Sequence, residues 1–155
     1  MKPLKTTVFS LLTVSTLALT ACATADKTIS YKEAHHYFVR NDVTDFSPRI
    51  IRNQTELEHY FGMAPVMSSD GSGLPTDIDF GRKNAIAIIE QQTNTETDIR
   101  ITSIAKGKDG KMTVRYKVAR SGAPQSYSFV PFALVLVDKK YGDNVTFVKV
   151  LGFGF

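Results

Sequence analysis

Residues 97–119 read "TDIRITSIAKGKDGKMTVRYKVA", and in both halves the apolar positions recur every second residue. Ile99, Ile101 and Ser103 fall on one side, with Arg100 and Thr102 on the other. Past the central turn, Met112, Val114, Tyr116 and Val118 oppose Thr113, Arg115 and Lys117. A period of two is what a strand shows when one face is covered and the other is wet. Between the halves sits Asp109-Gly110, the pair favoured by tight type I′ connections. The segment therefore predicts an antiparallel hairpin.

Its neighbours extend the same pattern. Upstream, "NAIAIIEQ" (84–91) is a short apolar run of the kind a buried strand carries. Downstream, "SGAP" turns the chain and "SYSFVPFALVLVD" (126–138) returns as a longer strand. Pro131 within it marks an edge, a bulge or a break between two strands. "KKYGDN" is a further turn before a strand in "VTFVKV" (145–150). Nearer the start, "HHYFVR" (35–40) reads as a short strand, and "NDVTDFSPR" breaks it, Pro48 biasing Ser47 away from helix. One helix is expected in "NQTELEHYFG" (53–62). Asn53 serves as N-cap with Glu56 three residues on, Leu57, Tyr60 and Phe61 share a face, and Gly62 is a C′ stop. "MSSDGSGLPTD" (67–77) is a loop by composition. Strands joined by short turns imply an α+β or mostly β domain. Its expected form is an antiparallel meander or sandwich of about five to seven strands with one short helix.

The first residues have a different grammar. Lys2 and Lys5 precede the uncharged run "VFSLLTVSTLAL" (8–19), and small residues follow in "TACATA". This is the build of a secretory signal, and its apolar core is shorter than the roughly 20 residues of a membrane-spanning helix. Cleavage after Ala21 or Ala25 would make it an ordinary signal peptide. "LTAC" (19–22) instead resembles the bacterial lipoprotein box, in which the cysteine thiol receives a diacylglycerol and the freed amine is acylated. That resemblance implies residues 1–21 as signal, Cys22 as the lipidation site, and membrane attachment through the anchor. Ala23 after the cysteine implies the outer membrane by enteric sorting rules. Two or more acyl chains hold firmly where one holds marginally. Cys22 is the single cysteine of the chain, so once acylated it leaves no thiol for disulfides, metal or nucleophilic catalysis. Residues 22–34, small and polar, read as the lipidated tether, and residues 35–155 as a single β-rich domain.

Composition is that of a globular protein, 43% hydrophobic and 22% charged. The formal charge of +4 falls to about +2 once Lys2 and Lys5 leave, and no run of like charges suggests nucleic acid. Catalytic and metal motifs are missing. His35 and His36 are neighbours in an expected strand, which sends them to opposite faces, and His59 lacks an HExxH partner. Asp70, Asp77 and Asp79 fail the calcium-loop spacing, since Pro75 and Gly81 stand at the sixth and twelfth positions. GxSxG is absent, and "LGFGF" (151–155) has no helix after it to cradle phosphate. No cofactor is expected. What remains is loops: Thr93, Asn94, Thr95 and Glu96 in one polar connection, and Ser121, Gly122, Ala123 and Pro124 in another. Loops carried by a rigid sheet are common recognition surfaces. A different reading, a small-ligand or glycan binder, needs an apolar pocket lined by Tyr31, Tyr37, Tyr60 or Tyr127.

The order of "PTDIDFGRKNAIAIIEQ", "GKDGKMTVRYKV" and "SFVPFALVLVDKKYGDNVTFVKV" resembles the C-terminal domain of the PrcB family of protease-complex subunits, over roughly residues 50–150. "HHYFVRNDV" and "HYFGMAPVM" also look like Gram-negative envelope lipoproteins. The resemblance implies a non-enzymatic protein-interaction module with a protein partner, a protease among the candidates. That family usually carries a Gly-Gly-Tyr turn after the first apolar strand, where this chain has "TNTETD".

Cys22→Ser is expected to abolish lipid labelling and membrane sedimentation; a variant that still labels with fatty acid and sediments would refute the anchor.

Overall fold

The computed structural model describes residues 26–69 and 72–151. Cys22 and the expected signal segment, Asp70 and Gly71 of the loop, and 152–155 of "LGFGF" lie outside them. The elements in chain order are β1 (Lys27–Thr28), β2 (Lys32–Glu33), β3 (Tyr37–Val39), β4 (Arg49–Ile51), α1 (Gln54–Tyr60), β5 (Phe61–Met63), β6 (Lys83–Ile89), β7 (Glu96–Lys106), β8 (Met112–Ser121), β9 (Phe132–Asp138) and β10 (Val145–Lys149). Two four-stranded sheets have the orders β1-β7-β8-β10 and β2-β9-β6-β4, and β3 pairs with β5. The fold is mostly β with one short helix, as the periodicity predicts. Among the described residues no helix is long and apolar enough to cross a membrane.

The layers follow from which strands are apolar on both sides. β6 and β9 pair antiparallel from Lys83↔Asp138 to Ile89↔Phe132. One face of this ladder, with Ile86, Ile88, Val135 and Val137, packs on Ile104, Met112, Val114 and Tyr116 of the β7–β8 sheet. The opposite face, with Ala85, Ala87, Ile89, Leu134 and Leu136, packs on Leu57 of α1 and on Tyr37, Val39 and Phe61 of the small sheet. "NAIAIIEQ" is unbroken because both faces of β6 are covered, whereas β7 and β8 alternate because one face meets solvent. Each fully buried Ile, Leu or Val contributes about 1.5–3 kcal/mol.

Two local expectations need correcting at the hairpin. Ile101 faces Tyr116 and Ser103 faces Arg115, so Thr102 is an extra residue in a β-bulge. The bulge restores Ile104 to the covered face opposite Val114, and Ser103 is not the inward residue. The turn is not type I′ either. Only Gly110 has a positive φ (77°), Gly110 N donates to Gly107 O at 3.0 Å, and Gly107 N donates to Lys111 O at 2.9 Å. That is the wider turn closed by a left-handed glycine bulge.

The all-antiparallel expectation also fails at one ladder. β10 pairs parallel to β8, from Val145↔Met112 to Lys149↔Tyr116. Each short turn does reverse the chain, but β9 lies in the other sheet, so the next strand returns beside β8 running the same way. Pro131 is the break rather than an edge: it immediately precedes β9, an inner strand.

The tether is shorter than its composition suggests. β1 pairs with β7 and β2 with β9, and Ile29 is 2% exposed between the sheets, so residues 27–34 belong to the domain. In α1 the Asn53 side chain accepts from Glu56 N at 2.8 Å, while the Glu56 carboxylate accepts from Arg52 N at 2.7 Å, one residue before the cap. Gly62 does not stop the helix. Phe61 is already extended, and Gly62 pairs with Phe38, whose ring lies so close that a Cβ would sit 2.3 Å from it.

One polar group interrupts the inter-sheet core. Asn84, on the face of Ile86 and Ile88, is 4% exposed and its Oδ1 has no partner. Asn84→Leu is expected to stabilise by about 1 kcal/mol in urea unfolding, because an orphaned acceptor is removed. Ile86→Ala is expected to cost about 2–5 kcal/mol.

Candidate functional site

The 11 residues of β7 run from Glu96 at one end of the sandwich to Lys106 at the other, about 33 Å away. Lys27 pairs with Lys106, so the described chain begins at the Lys106 end. Every loop residue singled out from sequence lies at the Glu96 end.

The structure brings the two loops together there. Glu96 and Ser121 are register partners at the top of the β7–β8 ladder. Gln125 N donates to Asn94 O at 2.7 Å, and Thr93 and Phe129 exchange two backbone bonds of 2.9 Å. Thr95 N donates to Thr93 Oγ1 at 3.1 Å, and Thr97 Oγ1 donates to Thr95 O at 2.8 Å. Gly122, at φ 78°, supplies the left-handed residue from which the Ser121–Pro124 connection departs, and a Cβ there would lie 3.9 Å from the Glu96 carboxylate. Polar composition thus builds a braced surface instead of two separate loops.

Glu90, the first charge after the apolar run of β6, belongs to this end as well. Its half-shielded carboxylate takes Lys149 Nζ at 2.8 Å and Arg120 at 3.5 Å, tying the two sheets. Burial, and then the Glu90 charge, push the Tyr116 hydroxyl up. Aromatic rings surround the loops: Tyr127 is 60% exposed and Phe38 46% exposed. A groove of about 690 Å³ runs between Phe38, Phe46, Gln92, Phe129 and Phe132. These aromatics stand apart in sequence, and only exposure identifies them.

A second groove, of about 520 Å³, is lined by Tyr31, His35, His36, Asp98, Ile99 and Phe132 among others. The histidines do not diverge as an ideal strand requires. They precede β3, His36 has a φ of 63°, and the two rings approach to 6.5 Å at the same groove. Among the described residues no three His, Asp or Glu side chains are placed to hold a metal ion. Asp79 has a local role: it accepts from Gly81 N and from Arg82 Nε, and the Arg82 contact holds its carboxyl below the usual range.

The wall of this groove is a strand edge. β1 covers β7 only at Ala105 and Lys106, with Ile29 N reaching Ile104 O. Higher up, the Tyr31 hydroxyl donates to Ile101 O at 3.0 Å, so the Ile101 carbonyl points away from β8. By strand alternation the backbones of Ile99 and Thr97 point the same way, and neither finds a backbone partner on that side among the described residues. An open edge of this kind can accept another strand.

The four tyrosines do not share a pocket. Tyr31 lines the second groove, Tyr37 is buried and donates to Thr76 O, Tyr60 stacks under Arg49 at 4.0 Å, and Tyr127 is at the loops.

Gly122→Ala forces a side chain into the left-handed region and is expected to cost about 1–2 kcal/mol. Hydrogen exchange at the Gln125 amide should quicken with it, while exchange within β6 falls in step only with global stability. Compared with family models, curated proteins and solved structures, the chain finds no match.

Proposed function

We propose that this is a non-enzymatic lipoprotein, anchored through Cys22 to the cell envelope at the outer membrane. In this reading it binds another protein through the Glu96 end of its sandwich. The observation that carries the reading is the opposition of the two ends. The chain joins its anchor segment at the Lys106 end, the braced loops lie about 33 Å away, and the open β7 edge at Ile99 and Thr97 and exposed Tyr127 lie toward them. A domain tethered this way holds those features out from the bilayer.

The chemistry of that end suits a protein partner. Exposed aromatics such as Phe38 and Tyr127 supply apolar contact area at low entropic cost. The Ile99 and Thr97 backbones can pair with an extended segment of the partner, the groove beside them receiving its alternate side chains. A protease is one such partner, on the resemblance to protease-complex subunits. The missing Gly-Gly-Tyr turn argues for contact by strand addition over insertion of a loop.

Photocrosslinking side chains placed at Asn94 and Asp98 in intact cells are expected to capture a partner that Lys108, at the opposite end, does not. Capture equal at all three positions, or no greater than from an unrelated lipid-anchored domain, would sink the proposal.

A further inference from the structure

We infer that the Lys106 end of the sandwich is a headgroup-binding surface that seats the domain on anionic phospholipid. The inference rests on the Cys22 anchor proposed above.

The charges at this end are not self-compensated. Asp138 takes Lys83 and Lys140, Asp143 takes Arg52, and Asp79 takes Arg82. Lys27, Lys108, Lys111 and Lys139 are exposed, and among the described residues no carboxylate pairs with them. Among the described residues, Asp26 is next to Lys27 in the chain and Asp109 lies between Lys108 and Lys111, and neither is in an ion pair. The fold gathers these lysines from three distant parts of the chain. Lys27 is paired to the foot of β7, Lys108 and Lys111 flank the hairpin turn, and Lys139 follows β9, its amide bonded to Arg82 O. Lys106 Nζ bonds Tyr141 O and locks the hairpin foot to that last turn. Toward the Glu96 end Arg120 and Lys149 share Glu90 and Arg100 pairs with Asp98, and among the described residues Lys117, opposite Arg100, is the cation there that meets no carboxylate.

Distance makes this surface meet the bilayer. Lys27 is five residues beyond Cys22, a reach of at most about 18 Å. Lys27 therefore sits within the span of an acylated Cys22, and the other lysines share its end of the sandwich, where phosphate oxygens are their natural partners. An acyl anchor joined to a basic patch is the combination that holds a protein against an anionic leaflet. With the foot seated, the domain stands upright and its loop end projects outward.

The test uses the mature, acylated full chain in vesicles of phosphatidylcholine alone or mixed with phosphatidylglycerol, each with a headgroup-attached quencher. A fluorophore on N144C reports the Lys106 end, and one on N94C the opposite end. In the mixed vesicles, quenching at 144 should exceed that at 94 by at least about twofold, a difference that falls in neutral vesicles and at high salt. The combined variant K108E/K111E/K139E should lower it likewise. Flotation with both vesicle types but equal quenching at 144 in each overturns the headgroup surface and leaves the anchor standing. A chain that floats with neither overturns both. Quenching lost to inorganic phosphate but not to chloride of equal ionic strength would assign the patch to free phosphate and overturn the lipid assignment.

Discussion

Everything in this molecule is laid on the β6–β9 ladder. Seven consecutive register pairs join the two strands, and both faces of the ladder are buried, one under the β7–β8 sheet and the other under α1 and the small sheet. A strand covered on both faces has no side on which a polar residue is at ease. The run from Asn84 to Ile89 contains one such residue, and it is the one with an orphaned oxygen. Small residues matter on this ladder as much as large ones. Ala85 and Ala87 lie in the cluster with Leu57 and Phe61, while Ile86 and Ile88 lie in the cluster between the two large sheets.

Period-two patterning made β7 and β8 legible from the residues, and an unbroken apolar run did so for β6, because both are local properties of the chain. Sheet membership is not local. Short turns after β8 and β9 imply a reversal of direction at each, which is correct. They carry no signal that β9 crosses to the opposite sheet and so makes β10 parallel to β8. The bulge at Thr102 was equally hidden, since the apolar positions Ile99, Ile101 and Ile104 break step only if Ser103 is set aside. β1 and β2 were missed because two-residue strands have no period at all. Ile29 and Ala34, the buried residues of that stretch, were its only clues.

The candidate site was half legible. Polar loops stand out by composition, and both lie on one surface, but their mutual bracing through Asn94, Gln125, Thr93 and Phe129 depends on the register of β7 with β8. Glu90, Phe38 and the bare edge of β7 become visible only in three dimensions, because exposure and pairing are properties of the fold. The adjacent histidines show how one backbone torsion can overrule a pattern: a left-handed His36 turns two side chains expected on opposite faces toward a common groove.

The parallel pairing of β10 also sets an order of events in folding. The β7–β8 hairpin closes across a few residues and needs nothing else to be in place. Val145 and Met112, in contrast, are 33 positions apart, with the whole of β9 between their strands. Closing a long loop costs entropy before any contact repays it, so contacts of this kind slow a fold. Until β10 pairs, β8 has an open outer edge. That interval is when the half-built sheet is most exposed to pairing with the wrong strand.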